Sequence, residues 1–124
     1  MFDNDDPDGA EACQNRTLAL NPNQPQALNN LGSIARSRKD SDAAIDWYTK
    51  ALNANPDYDE AAGNLGTVLI EADRAKEALA TLLPLVRKSP NRAETHCALG
   101  RAFLQLDDLD RAEIGFRQAM KLGD

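Results

Sequence analysis

The sequence predicts an all-α fold, a solenoid of stacked antiparallel helix pairs, and three observations carry that prediction. The apolar residues are mostly strong helix formers, with 20 Ala and 16 Leu against 2 Val and 4 Ile. Strands draw instead on β-branched and aromatic side chains. Prolines recur with a fixed period, Pro22, Pro56 and Pro90 standing 34 residues apart. Each period holds two amphipathic halves separated by a short polar turn, the pattern of a helical hairpin.

Other residue classes keep the same register. Leu31-Gly32, Leu65-Gly66 and Leu99-Gly100 share it, as do Ala44, Ala78 and Ala112, and then Tyr48, Leu82 and Phe116. Units over 25–58, 59–92 and 93–124 follow. In their first halves Leu28, Leu31 and Ala35 form an i, i+3, i+7 stripe, matched by Ala62, Leu65 and Leu69 and by His96, Leu99 and Phe103. Pro25 opens the first unit's helix, where a missing N–H costs nothing. Glycine inside a helix costs about 1 kcal/mol relative to alanine, so the Gly after each Leu implies close approach of a neighbouring helix. Asp40 and Asp108 are placed to cap the second helices, and the prolines stop them.

Helix–turn–helix units of 34 residues, with Leu-Gly, a central Ala, an aromatic four residues later, a further Ala and a terminal Pro, resemble the tetratricopeptide repeat family. The resemblance covers 25–124 as three units and extends backwards. Asp6-Pro7 stands in the register of Asp40-Ser41 and predicts a lone second-type helix over 6–21, preceded by an acidic tail over 1–5. The expected architecture is one domain over 1–124 with about seven antiparallel helices in a right-handed superhelical arc. This chain departs from the family pattern at Leu28 and His96, where the family favours Trp. It departs again at Lys39, Asp73 and Asp107, where Gly is usual in the turn. Pro84 inside a second helix removes the hydrogen bond to the Ala80 carbonyl and predicts a kink.

Charge and composition exclude several functions. The formal charge is −6, and no basic stripe is present, which argues against binding nucleic acid or an anionic membrane. Asp3, Asp5, Asp6, Asp8 and Glu11 supply most of that charge, as a solvated tail at the positive end of the first helix or as a docking segment. The start Met-Phe-Asp-Asn-Asp-Asp lacks a secretory signal, and the longest uncharged apolar run, Ala78 to Val86, is too short to span a bilayer. A soluble cytoplasmic protein without membrane insertion is expected. Cys13 and Cys97 stand far apart with no Cys-x-x-Cys grouping, so no disulfide framework or zinc site is written here. His96 lies on the Leu-bearing stripe and reads as a core residue, the alternative being a binding or pH-sensing role. With no nucleophile–base pair or glycine-rich phosphate loop, the chain reads as a non-enzyme without metal or cofactor.

In such a stack the first helix of each unit lines the inner surface. The residues expected there are Gln26, Asn29, Asn30, Ser33, Arg36 and Ser37 in the first unit. Glu60, Gly63, Asn64, Thr67, Ile70 and Glu71 follow in the second, then Glu94, Cys97, Ala98, Arg101, Leu104 and Gln105 in the third. This lining is amide-rich, with Glu60, Glu71 and Glu94 against Arg36 and Arg101 and with Ile70 and Leu104 as apolar spots. Carboxamides both donate to and accept from peptide backbone, so the lining suits an extended segment. Asn30 and Asn64, each just before Leu-Gly, resemble the asparagine ladder of the O-GlcNAc transferase superhelix, with Ala98 breaking it. The clamp with which some family members hold chaperone C-termini needs Lys and Arg where this chain has Asn29, Ser33, Asn64, Glu94 and Ala98, so carboxylate-tail binding is not expected.

Tyr48 and Phe116 read as core, and Trp47 as half-buried on the second helix. The last helix carries Ile114, Phe116, Met120 and Leu122 with no following helix to cover them, which predicts inward packing, self-association through the terminal helices, or a chain excerpted from a longer protein. The expected function is a protein–protein interaction module that binds an extended peptide or protein segment in the concave groove and scaffolds a complex. The alternatives are the substrate-recognition arm of a larger glycosyltransferase and a small secretion or assembly chaperone.

Overall fold

The structure, a computed structural model, describes residues 7–123; the acidic tail and the Asp6 cap lie outside the described residues. Seven helices follow in order: α1 Pro7–Leu20, α2 Pro25–Ser37, α3 Ser41–Ala54, α4 Asp59–Glu71, α5 Ala75–Lys88, α6 Ala93–Gln105 and α7 Leu109–Gly123. No strand occurs among the described residues. The starts of α2, α4 and α6 keep the 34-residue spacing of the prolines, and so do those of α3, α5 and α7.

The turn inside each repeat shows why the helices end where they do. Lys39, Asp73 and Asp107 adopt left-handed backbone, with φ of 64°, 62° and 61°. The N–H of the following residue then bonds back to the carbonyl of Ala35, Leu69 or Phe103 at 2.9, 2.8 and 2.9 Å. This Schellman closure satisfies carbonyls that the helix end leaves open. Asp40 and Asp108 turn at once to capping, each carboxylate accepting the N–H three residues on, of Ala43 and Arg111, at 3.2 Å. In the middle repeat Arg74 holds the cap position without a side-chain cap. Its guanidinium instead donates twice to Glu77, at 2.9 and 2.6 Å.

Packing divides the chain into two compact units, residues 1–61 and 62–124. In the first, Ala10 of α1 meets Leu31 and Ile34 of α2, flanked by Leu18 and Trp47. Leu28, Ala51 and Ala61 form a second cluster under Leu18, Trp47, Leu52 and Tyr58. Tyr48 is fully buried. A Cβ on Gly32 would lie 2.6 Å from its ring, so glycine there admits the tyrosine. In the second unit Leu82 of α5 and Val68 of α4 are fully buried, and Leu65, Leu69, Leu85, Leu99 and Ala102 are buried as well. Gly66 lies under Leu82 and Gly100 under Phe116, where an added Cβ would fall at 2.5 and 2.8 Å. Each fully buried large apolar side chain contributes roughly 2 kcal/mol.

The buried arc of the first helices is wider than one stripe. Ala27, Ala61 and Thr95 are buried in register, and so are Ile34, Val68 and Ala102. Phe116, expected in the core, is only half-buried, because one edge of α7 is open. The kink expected at Pro84 does not divide α5, which runs as one helix from Ala75 to Lys88. Ala80 is exposed, so water can take the place of the missing N–H. No helix among the described residues is long and apolar enough to cross a membrane.

Candidate functional site

In the first unit α2 presents Gln26 exposed and Asn30, Ser33 and Arg36 half-buried. Gln26 sits in the first turn, where its N–H reaches the Gln24 side chain at 3.4 Å. The Ser33 and Tyr48 hydroxyls meet at 3.0 Å, tying this surface to the core. The exposed Ser37 hydroxyl turns back to the Ile34 carbonyl at 2.7 Å. Glu60 is exposed in the first turn of α4.

Asn29 does not belong to this surface. It is 3% exposed, and its amide hydrogen-bonds the hydroxyl of Tyr58. A polar side chain is buried only when it is satisfied, and Tyr58 supplies the partner. Burial, with the negative charge of Glu60, pushes the Tyr58 phenol above its ordinary range, while the Asn29 bond works the other way. Tyr58 was not among the residues the sequence singled out, because it lies in the lead-in to α4.

In the second unit Asn64 and Thr67 are half-buried on α4 and Glu71 is exposed. The Thr67 hydroxyl donates to the Gly63 carbonyl at 2.9 Å. Ile70, expected as an apolar spot on the lining, is 4% exposed and belongs to the core. On α6 the residues Glu94, Cys97, Arg101 and Leu104 are all exposed and follow i, i+3, i+7, i+10, one continuous stripe. Ala98 is buried. The Gln105 amide donates to the Ile70 carbonyl at 2.9 Å, so this residue closes the end of α4 rather than waiting for a ligand.

His96 is neither a core residue nor part of the exposed stripe. It is half-buried, and its Nε2 donates to the Pro90 carbonyl at 2.7 Å, fastening the loop before α6. Cys13 and Cys97 are exposed free thiols. Among the described residues no group of three or more His, Cys, Asp or Glu side chains could hold a metal ion. Of the acids near the start, Glu11 pairs with Arg38 at 3.1 Å, docking onto its own chain.

Two open recesses lie off these stripes. One, of about 530 Å³, is lined by Pro22, Asn23, Leu28, Lys50, Asn53 and Ala54. The Lys50 ammonium also sits 4.7 Å from the Trp47 ring centre. The other, of about 310 Å³, lies at the start of α5 between Asp73–Glu77 and Gln105–Leu106. There the two bonds from Arg74 hold the exposed Glu77 carboxyl below its usual range.

The chain matches the tetratricopeptide repeat family over residues 35–96, and again over 2–60 and 93–122. Solved structures share the fold. MamA residues 41 to the end from Desulfovibrio magneticus RS-1 superposes with a TM-score of 0.87 at 24% identity, over 94% of this chain and 66% of that one. A crystal structure of MamA protein gives 0.84 at 22% identity, covering 94% and 63%. MamA MSR-1 gives 0.80 at 23%, covering 94% and 67%. The chain therefore spans about two thirds of the length of these solved chains. The comparison with curated proteins returns no match.

Proposed function

The chain belongs to the tetratricopeptide repeat family, and from that premise we propose that it is a non-catalytic protein-binding module that takes extended segments of partner proteins. One observation supports this reading above the others. Two sets of equivalent positions stay at least partly exposed in every repeat, Gln26, Glu60 and Glu94, and Ser33, Thr67 and Arg101; Asn30 and Asn64 join them in the first two repeats, while Ala98 at that position is buried. These polar side chains carry hydrogen-bonding groups of both kinds, and the Ser33 hydroxyl also meets that of the buried Tyr48.

The binding chemistry follows from the residue types. Asn30 and Asn64 each offer a carbonyl and an amino group, which together match the alternating C=O and N–H of an extended backbone. The charges, Glu60, Glu71 and Glu94 against Arg36 and Arg101, nearly balance. Recognition then depends on shape and hydrogen bonds more than on attraction between net charges. Asn29 and Ile70 drop out of the binding set because they are buried, and Gln105 because its amide is engaged. In this reading the protein holds partner chains together in the cytoplasm.

The test is affinity capture with the wild type beside Asn30→Ala/Asn64→Ala, read by quantitative mass spectrometry. The double variant should lose captured partners at least tenfold, with its unfolding midpoint measured beside that of the wild type to separate lost binding from lost folding. Capture of every partner at wild-type levels would remove the support for this surface.

A further inference from the structure

The turns inside the three repeats differ in charge. The first carries Arg36, Arg38 and Lys39 against Asp40, the second Glu71 and Asp73 against Arg74, and the third Asp107 and Asp108 alone. Only the first is basic, and in it Arg38 and Lys39 are exposed and Arg36 half-buried. This turn already receives a carboxylate from the chain, because Glu11 of α1 pairs with Arg38 at 3.1 Å. α1 packs against α2, and its first residue, Pro7, lies about 6 Å along the helix from Glu11 at 1.5 Å per residue. Directly before Pro7 stand Asp3, Asp5 and Asp6, outside the described residues, in the register of Ser37, Lys39 and Asp40. Equivalent helix ends of consecutive repeats do meet in this fold. In the second unit the Gln105 amide reaches the Ile70 carbonyl at 2.9 Å, joining the ends of α6 and α4.

We infer that the basic turn of the first repeat is a docking site for acidic segments, and that its occupant is the chain's own residues 3–6, extending the contact that Glu11 makes. The reach is short. An extended residue spans about 3.3 Å, and α1 starts roughly one helical turn from the Glu11–Arg38 pair. Each exposed ion pair contributes little by itself, but three carboxylates on one tethered segment act together at high effective concentration. An acidic segment of a partner protein would meet the same cations, so the internal segment is a competitor that such a partner must displace. Arg38 and Lys39 lie outside the stripes on α2, α4 and α6, and the inference does not depend on what those stripes bind.

The probe is fluorescently labelled hexaglutamate, titrated with the full chain at low ionic strength, where screening is weak, and followed by anisotropy. Asp3→Asn/Asp5→Asn/Asp6→Asn should bind it about fivefold or more tighter than the wild type, because the turn is no longer occupied from within. Asparagine caps a helix as well as aspartate does, so the expected cap of α1 is kept. Asp57→Asn/Asp107→Asn/Asp110→Asn removes the same charge from other exposed positions and should bind like the wild type. Arg38→Gln/Lys39→Gln, added to the first variant, should abolish its gain. Thermal midpoints well above the titration temperature separate a lost site from a lost fold. No gain in the first variant, an equal gain in the charge-matched variant, or a gain that survives Arg38→Gln/Lys39→Gln overturns the inference. So does sedimentation showing a dimer that Asp3→Asn/Asp5→Asn/Asp6→Asn disperses, which would seat the acidic segment on a second copy.

Discussion

The hydroxyl of Ser33, on the open side of α2, meets that of the fully buried Tyr48 at 3.0 Å. The corresponding pair in the second repeat is Thr67 and Leu82, and there the hydroxyl turns to the Gly63 carbonyl of its own helix. A polar thread from surface to core thus exists in one repeat and is replaced by local bonding in the next. Deleting either partner, by Ser33→Ala or Tyr48→Phe, should cost about 1 kcal/mol. The double variant should cost little more than one single variant, because both remove the same bond. Urea unfolding of the four proteins reads this directly, and strict additivity would show that the two hydroxyls act independently.

The glycines should rank by what opposes them. At Gly32 and Gly66 an added Cβ would fall 2.6 Å from Tyr48 and 2.5 Å from Leu82, both fully buried. Alanine there should destabilise by about 1–3 kcal/mol through overpacking, despite its better helix propensity. Gly100→Ala should cost less, because the half-buried Phe116 can swing outward. Gly115→Ala faces backbone instead, with His96 O at 3.0 Å and Gly100 N at 3.1 Å. It must separate α6 from α7 and should cost more than Gly100→Ala. Thermal denaturation of the four alanine variants checks the order.

The turn residues give a prediction of opposite sign. Lys39 holds φ 64°, a region that costs a side chain of its kind about 1 kcal/mol and glycine almost nothing. Lys39→Gly should therefore raise stability, by up to about 1 kcal/mol. Asp73→Gly and Asp107→Gly should raise it less, since aspartate tolerates left-handed backbone better. The comparison is a set of three melting temperatures, and a fall at Lys39→Gly would contradict the cost assigned to that turn.

Tyr58 makes stability sensitive to alkaline pH. Burial, then the negative charge of Glu60, raises its phenol above the ordinary tyrosine range, against a smaller opposing bond from Asn29. The folded state therefore holds that proton more tightly than the unfolded chain does. The stabilisation is fully present below about pH 10 and is lost as pH rises through the folded value. Urea midpoints should stay level to about pH 10 and then fall, with a shallower fall in Tyr58→Phe. Parallel curves would show that Tyr58 does not contribute.

The fold was legible because its signals are local and repeated. Leu-Gly marks the contact with Tyr48, Leu82 or Phe116 in each repeat, and the three turn residues adopt left-handed backbone at equivalent positions. What was not legible depends on contacts that no local period records. Asn29 reads as a surface amide until Tyr58, from the lead-in to the next helix, supplies its partner. Ile70 is buried because a first helix carries neighbours over a wider arc than its Leu stripe implies. Gln105 reads as lining because its acceptor, the Ile70 carbonyl, is 35 residues away. Gly115 gave no signal, since its register equivalents are Trp47 and Thr81. His96 kept the position of a core residue while bonding to the Pro90 loop. Of the residues expected on the lining, Asn29 and Ile70 are thus buried and Gln105 is engaged within its own chain.

The central claim, that extended segments bind along the open stripes of the first helices, is tested most directly with selected ligands. Peptides chosen from a random library against the wild type would be titrated against Asn30→Ala/Asn64→Ala, Arg101→Ala and Met120→Glu. The account predicts at least a tenfold loss of affinity in the first variant or in Arg101→Ala for the dominant peptides, and unchanged affinity in Met120→Glu. Peptides that bind all the stripe variants as tightly as the wild type, or that lose binding only with Met120→Glu, would contradict it.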